Sequence, residues 1–350
     1  MHIPDGYLSP ATCATLYAAS APFWYVALRK MKRALNTRMV PLISVFAAFS
    51  FIVMMFNLPL PGGTTGHAVG VGIAAIVLGP WGAVVAVSIA LTIQAVLFGD
   101  GGITALGANC FNMAIAGSLA AYAIYRVTSG RASLTAPRRV VAAAMAGYAA
   151  INIAALLAAI EFGIQPLLYH DSSGAPLYAP YPLHIAIPAM MIGHLTVAGL
   201  AEMVVSSGVV AYLQRAEPLL LDATSGGSRV VDPHPPARPL WIALGVLMVL
   251  TPLGILAIGS AWGEWAPAAF ANPRGRQEIA SASANNAPPA RPPTGLARLS
   301  SFWTAPMPKY AAPFLKSPGF GYLLSAMTGA GAVILMSLLL ASLLQKRALK

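Results

Sequence analysis

Three nitrogens that can close on one ion are packed into the first two residues of this chain. If translation begins at Met1 and the initiator methionine stays, Met1 carries a free amine, and His2 adds a backbone amide and an imidazole. Amine and amide nitrogen form a five-membered chelate ring. Amide nitrogen and the imidazole nitrogen nearest the backbone form a six-membered one, so three corners of a square are filled. A planar, all-nitrogen set with an ionised amide suits nickel(II) or copper(II) and tolerates cobalt, whereas zinc prefers a tetrahedron and magnesium or calcium take oxygen. The open corner needs one more imidazole. The His67 of Gly66-His67-Ala68 is therefore read together with the opening residues. Amine and imidazole must both lose their protons to bind, so capture releases protons and weakens as pH falls.

The elements that position these groups lie in a membrane. The chain of 350 residues is 57% hydrophobic with only 9% charged residues, and its mean hydropathy is +0.71; soluble domains carry about 25% charged residues. The expected fold is all-α, a polytopic transmembrane helical bundle. No signal peptide opens it: Asp5 and two prolines stand where basic residues belong, and the basic run Arg29-Lys30-Met31-Lys32-Arg33 follows the first apolar stretch. Cys13 and Cys110 both sit in apolar stretches and read as small core residues.

About seven spans are expected in the first part: 12–28, 39–57, a short run from His67 to Gly79, 82–98, 104–125, 139–163 and 184–213. Two more are expected at 239–259 and 320–344. The run after His67 is too short to cross. About 13 residues at about 1.5 Å each reach only about 20 Å against about 30 Å of hydrocarbon. The helix must start inside the membrane, and the breaker-rich loop Asn57-Leu58-Pro59-Leu60-Pro61-Gly62-Gly63 must dip in before it. Irregular backbone is tolerated at that depth only where protein covers it or a wet cavity receives it, so a polar-lined pocket is expected at His67. The domains expected are 1–215, a cytoplasmic linker over 216–238, and a two-span part over 239–350 whose long loop, 261–319, is external and poorly ordered.

With the N-terminus outside and the C-terminus inside, 15 of the 21 basic residues fall in inner segments and the other 6 in the long loop. Membrane topology thus accounts for the net charge of +11. No nucleic-acid partner is needed.

Four stretches carry a family resemblance: Met1-His2-Ile3-Pro4-Asp5-Gly6-Tyr7-Leu8-Ser9-Pro10, Pro59-Leu60-Pro61-Gly62-Gly63-Thr64-Thr65-Gly66-His67, Asp100-Gly101-Gly102-Ile103-Thr104-Ala105-Leu106-Gly107-Ala108-Asn109, and Ala201-Glu202-Met203-Val204-Val205. Together they resemble the substrate-binding membrane subunit of energy-coupling-factor nickel/cobalt transporters. The region from Trp241 on, with Ala261-Trp262-Gly263-Glu264-Trp265, resembles the small two-span accessory subunit fused to it. The resemblance implies a metal-capture subunit in a bacterial-type inner membrane, without an ATPase of its own. It works beside a transmembrane coupling subunit and two cytoplasmic ATP-binding subunits, and toppling of the subunit carries the metal inward. In keeping with that, the chain has no Walker-type phosphate loop. The implied ligands are the Met1 amine, the His2 amide and imidazole, and the His67 imidazole, which fills the fourth corner. Nickel(II) or cobalt(II) is the transported substrate, with nickel favoured by planar nitrogen ligation.

Asp5, Thr65, Asn109 and Asn112 are candidates to support these ligands. Asn109 and Asn112 share a helical face and either hold the N-terminal segment or simply pack helices. His194 is read as an interhelical hydrogen-bond donor, and Glu202, read as the one carboxylate well inside a span, as a structural pairing or subunit contact. An ion-coupled secondary metal transporter or a membrane metal sensor remain as alternatives, the former expected to present more intramembrane acids than Glu202.

Overall fold

The computed structural model describes residues 1–34, 39–224, 237–312 and 314–346. Helix α1 (Pro10–Ala34) begins with proline at its first position, where the missing N–H costs nothing. Ser9 caps it, its hydroxyl accepting from the Thr12 N–H at 3.1 Å. After α2 (Met39–Met54), the breaker-rich stretch forms an antiparallel hairpin rather than a plain loop, with β1 (Leu58–Leu60) paired to β2 (Thr64–Gly66). Its turn runs through Gly62 and Gly63 at φ 83° and 76°, a region closed to most side chains.

Helix α3 (Val71–Ile93) follows His67 and is apolar on every face, as a helix at the centre of a bundle must be. Gly79 interrupts it with φ 71° and ψ 169°, at the turn the sequence predicts. The piece that starts beside His67 therefore ends at Leu78, after about 12 Å at about 1.5 Å per residue. Helix α4 (Leu106–Asn109) continues through a π-helical stretch, Cys110–Gly117, into α5 (Ser118–Ser129). Then come α6 (Pro137–Gly163), α7 (Gln165–Leu168), and α8 (Leu183–Gly193), which joins α9 (Gly199–Ala216) through π-helical His194–Ala198. Small residues let α3, α6 and α9 cross closely: a Cβ on Gly72 would collide with the Gly147 backbone and the Ser206 hydroxyl.

Among the described residues, Val71–Phe98, Pro137–Leu168, Leu183–Ala216 and Pro318–Leu344 are long and apolar enough to cross a membrane, and Met39–Met54 and Leu240–Leu256 are shorter apolar helices. Their outward faces carry exposed Val141, Met145, Leu200, Val204, Leu335 and Leu339. Apolar side chains on that scale belong against lipid. The chain is an all-α membrane protein.

The C-terminal part comprises α10 (Ala237–Leu250), α11 (Pro267–Ala271), α12 (Pro273–Ala282), α13 (Thr294–Leu299) and α14 (Pro318–Lys346). Here one expectation fails. The described residues of the 261–319 segment are not a poorly ordered loop but form three short helices and turns seated on the first part. Gly295 N–H donates to Leu177 O at 2.7 Å, Met307 N–H to Leu97 O at 3.0 Å, and Trp303 Nε1 to Val96 O at 2.9 Å. Its Pro- and Ala-rich composition concealed four large aromatic anchors, Trp262, Trp265, Phe270 and Tyr310, all buried. The linker signals at Ser225-Gly226-Gly227-Ser228 and Pro233-His234-Pro235-Pro236 lie outside the described residues.

Candidate metal centre

The first nine residues are threaded into the bundle, with Met1, His2, Ile3 and Tyr7 all buried. Ile3, Asp5 and Ser9 of this segment are each held by residues distant in the chain. Asn109, at the end of α4, accepts from Ile3 N–H at 2.8 Å and donates to Ile3 O at 3.1 Å. Gly102 N–H donates to the same carbonyl at 2.8 Å. Glycine is required there because a Cβ at 102 would overlap the Asp5 backbone. The Asp5 carboxylate accepts from the N–H groups of Ile103 (3.2 Å) and Thr104 (2.7 Å) and from the Thr104 hydroxyl (2.5 Å). Gln165, just beyond α6, accepts from Ser9 N–H at 2.9 Å. The 100–104 loop and the N-terminal strand thus fix one another.

This threading brings His2 against His67, with ring centroids 5.0 Å apart and planes at 64°. His67 Nδ1 bonds the Ala68 carbonyl at 3.0 Å. As a carbonyl only accepts, Nδ1 carries the proton and the lone pair sits on Nε2, the usual second-sphere arrangement of a ligating histidine. Burial, then the neighbouring His2 and terminal amine, push the His67 pKa down to about 3, so the ring is neutral at physiological pH.

His2 Nδ1 lies 2.6 Å from Asp100 Oδ1, while its Nε2 is buried with no hydrogen-bond partner. The chelate expected from the sequence uses Nδ1, and here that nitrogen faces a carboxylate. Closing that chelate takes Nδ1 away from Asp100 by a turn of the ring about Cβ–Cγ. Burial alone would raise Asp100, yet the charge and hydrogen bond of His2, with His67 and Tyr310 behind them, hold its carboxyl well below the usual range.

The C-terminal segment reaches the same place. Glu264 lies 3.8 Å from the Met1 amine, and burial raises its carboxyl even against the pull of that amine. The Tyr7 hydroxyl donates to Trp265 O at 2.7 Å. The Tyr310 hydroxyl donates to Asp100 Oδ2 at 2.5 Å. Among the described residues, no three or more His, Cys, Asp or Glu side chains gather as a metal cage.

Of the four supporting candidates, Asp5 and Asn109 hold the N-terminal strand. Asn112 does not: its amide donates to Glu161 at 2.8 Å. Thr65 stands in the hairpin beside His67 and contributes its backbone N–H to the C-terminal segment. Glu202 accepts from the N–H groups of Val69 (2.7 Å), Gly70 (2.9 Å) and Gly72 (3.2 Å). It caps the start of α3, where a helix beginning inside the bundle has unpaired donors and a partial positive charge. Nor is it alone, since Glu161 is a second buried carboxylate near the end of α6. His194 bonds Met190 O within its own helix at 2.8 Å, not a neighbouring one. Cys13 and Cys110 are buried free thiols.

Sequence reasoning missed Asp100, Glu264 and Tyr310. Asp100 sits among three glycines, a turn signal, although it is the sole acid in a short loop between two apolar stretches. Glu264 and Tyr310 come from more than 150 residues away in the chain; Glu264 stands in the Ala261–Trp265 stretch that carries the second resemblance, while nothing local marks Tyr310.

Comparison with known proteins gives the chain its family. The family model for the cobalt uptake substrate-specific transmembrane region (CbiM) matches residues 2–220. The fused nickel transport protein NikMN of Rhodobacter capsulatus is 54% identical over 336 residues, covering 95% of each chain. The probable fused nickel transport protein LarMN of Lactiplantibacillus plantarum is 47% identical over 270 residues, covering 76% of this chain and 78% of the relative. A crystal structure of a truncated transition metal transporter aligns with TM-score 0.57 and 52% identity, covering 61% of this chain and 98% of its own. The likeness to fused relatives runs through the C-terminal part, so the chain is a fusion of the same kind. It belongs to the cobalt uptake substrate-specific transmembrane region family.

Proposed function

We propose that this chain captures a divalent transition metal from outside the cell, nickel(II) before cobalt(II), and delivers it into the membrane as the substrate-specific component of an energy-coupling-factor transporter. The ligands are the Met1 amine, where Met1 opens the mature chain, with the His2 amide and imidazole and His67. The observation that carries this reading is the burial of the chain's first two residues against His67, with the ring centroids 5.0 Å apart. A buried terminus loses hydration, and imidazole nitrogen in a dry pocket is costly unless a partner satisfies it. The relatives' names support nickel and cobalt as cargo: two matched chains are named for nickel transport and another, 33% identical, for cobalt transport. ATP hydrolysis is assigned to partner subunits beside a transmembrane coupling subunit, with the N-terminus outside and residues 1–215 and 239–350 as the two parts.

The test is nickel(II) titration of purified protein, its intact N-terminus confirmed by mass spectrometry. One residue added before Met1, or His67→Ala, should abolish high-affinity binding; retained affinity and an unchanged visible spectrum would place the site elsewhere. A second reading, ion-coupled secondary transport, is favoured by the buried Glu161 on a membrane helix. Radiometal uptake in proteoliposomes that contain this chain alone, driven by a proton gradient, would decide for it.

A further inference from the structure

Helix α9 closes the first part of the chain and α10 opens the C-terminal part. Helix α10 packs on α2, and a groove of about 410 Å³ runs between it and α9, lined among others by Phe46 and Phe49 of α2, Gly208 and Tyr212 of α9, and Leu244 and Leu247 of α10. A Cβ on Gly208 would meet no atom within 4 Å. Shape limits what can lie there. A helix is about 10 Å across and rises about 5.4 Å per turn, so a single turn would use up the whole volume. An acyl chain, one methylene wide, lies along such a groove, in reach of the lipid that the exposed faces of α9 and α10 already meet. Charge marks the end of the groove. Gly208, Tyr212 and Arg215 stand at i, i+4 and i+7 of α9, on one face. Arg215 is exposed one turn beyond the groove, and among the described residues it has no hydrogen-bond or ion-pair partner, the following Glu217 included. A guanidinium so placed offers its planar fork to a phosphate. Tyr212, between groove and arginine, has the amphipathic ring that belongs at headgroup level.

We propose that this groove seats an anionic phospholipid, with one acyl chain lying between α2, α9 and α10 and the phosphate on Arg215. The lipid fills the gap that the covalent joint leaves, and holds the C-terminal part against α9 by apolar contact on both sides. On the orientation proposed above, the groove opens to the inner leaflet, whose surface is the anionic one. The site is independent of the metal centre, so neither reading falls with the other.

The test uses the full chain in detergent, stripped of native lipid and titrated with phosphatidylglycerol or phosphatidylcholine of equal chain length, read by native mass spectrometry. One phosphatidylglycerol should bind ahead of the rest, roughly five-fold more tightly than phosphatidylcholine, which is the worth of one basic residue at an anionic surface. Arg215→Gln should bring the two lipids level. Arg126→Gln removes a basic residue that already donates to the Tyr122 hydroxyl at 3.1 Å, and should leave the preference as in wild type. Gly208→Leu puts a side chain into the open groove without meeting protein atoms at its Cβ, and should abolish the preferred site for both lipids. Arg215→Gln, at an exposed position, keeps the test open if Gly208→Leu folds poorly. A wild-type chain that takes no lipid ahead of the background, or takes both lipids equally, overturns the proposal and leaves the groove to a partner chain or to another stretch of this one. A loss of preference in Arg126→Gln as large as in Arg215→Gln, or a preferred site that survives Gly208→Leu, overturns it as well.

Discussion

Asn109 grips both main-chain polar groups of Ile3, accepting from its N–H at 2.8 Å and donating to its carbonyl at 3.1 Å. One amide side chain thus imitates a neighbouring strand and fixes the residue next to His2. Asn109→Asp keeps the acceptor and loses the donor, while Asn109→Ala loses both. Nickel affinity should fall roughly ten- to a hundred-fold in the alanine variant, with the aspartate between it and wild type. Calorimetric titration ranks the three, and equal affinities would show that the clamp is irrelevant to the metal.

Asp5 should matter for order before it matters for affinity. Its carboxylate gathers three donors from Ile103 and Thr104, and a hydrogen bond to a charged group is worth about 1.5–3 kcal/mol. Asp5→Ala should free the first residues, detectable as aminopeptidase trimming of Met1 that wild type resists. Resistance equal to wild type would mean that Asn109 and Gly102 suffice.

Glu202 offers a contrast between charge and shape. Glu202→Ala leaves three buried N–H groups at the start of α3 unpaired, at about 1–3 kcal/mol each. Glu202→Gln retains one acceptor oxygen and should be milder. Thermal unfolding in detergent should therefore order wild type above glutamine above alanine, and an alanine variant as stable as wild type would remove the capping role.

Acid should destabilise the apoprotein through His67. Its pKa is about 3 in the folded protein and 6.5 as an ordinary imidazole. Between those values the unfolded chain binds more protons, so stability is full above 6.5 and is lost as pH falls toward 3. His67→Gln should flatten the melting temperature across that window in the presence of a chelator. A slope unchanged by the substitution would assign the acid sensitivity to other groups.

The meeting of His2 with His67 was legible because the opening residues are a contiguous set of nitrogen donors short of one imidazole, and the burial of His67 because the run from it to Gly79 is too short to cross a bilayer. The carboxylate beside His2 was not. Asp100 looks like a turn former among glycines, and only the π-helical turn after Ile93 and the approach of the 100–104 loop to Asp5 convert it into a site residue. Asn109 and Asn112 share a helical face in the sequence, yet the π-helical stretch Cys110–Gly117 separates their environments, one facing Ile3 and the other Glu161. The C-terminal contribution was hidden for a different reason. A Pro- and Ala-rich segment has no periodicity to read, and its order comes from a few aromatic anchors that find their pockets only in three dimensions.

Because Glu264, Trp265 and Tyr310 are encoded on the same chain as Met1, every copy of the N-terminal pocket is made with its own cover in one-to-one ratio. A separate subunit would have to be found by diffusion and could be outnumbered. A tethered one is present at an effective concentration on the order of millimolar for a short flexible connection, so a weak seat is enough to keep it near, and letting go never means losing it. Covalent linkage thus fixes the stoichiometry of the two parts, so that the contacts made over Met1 and Asp100 never depend on finding a second chain.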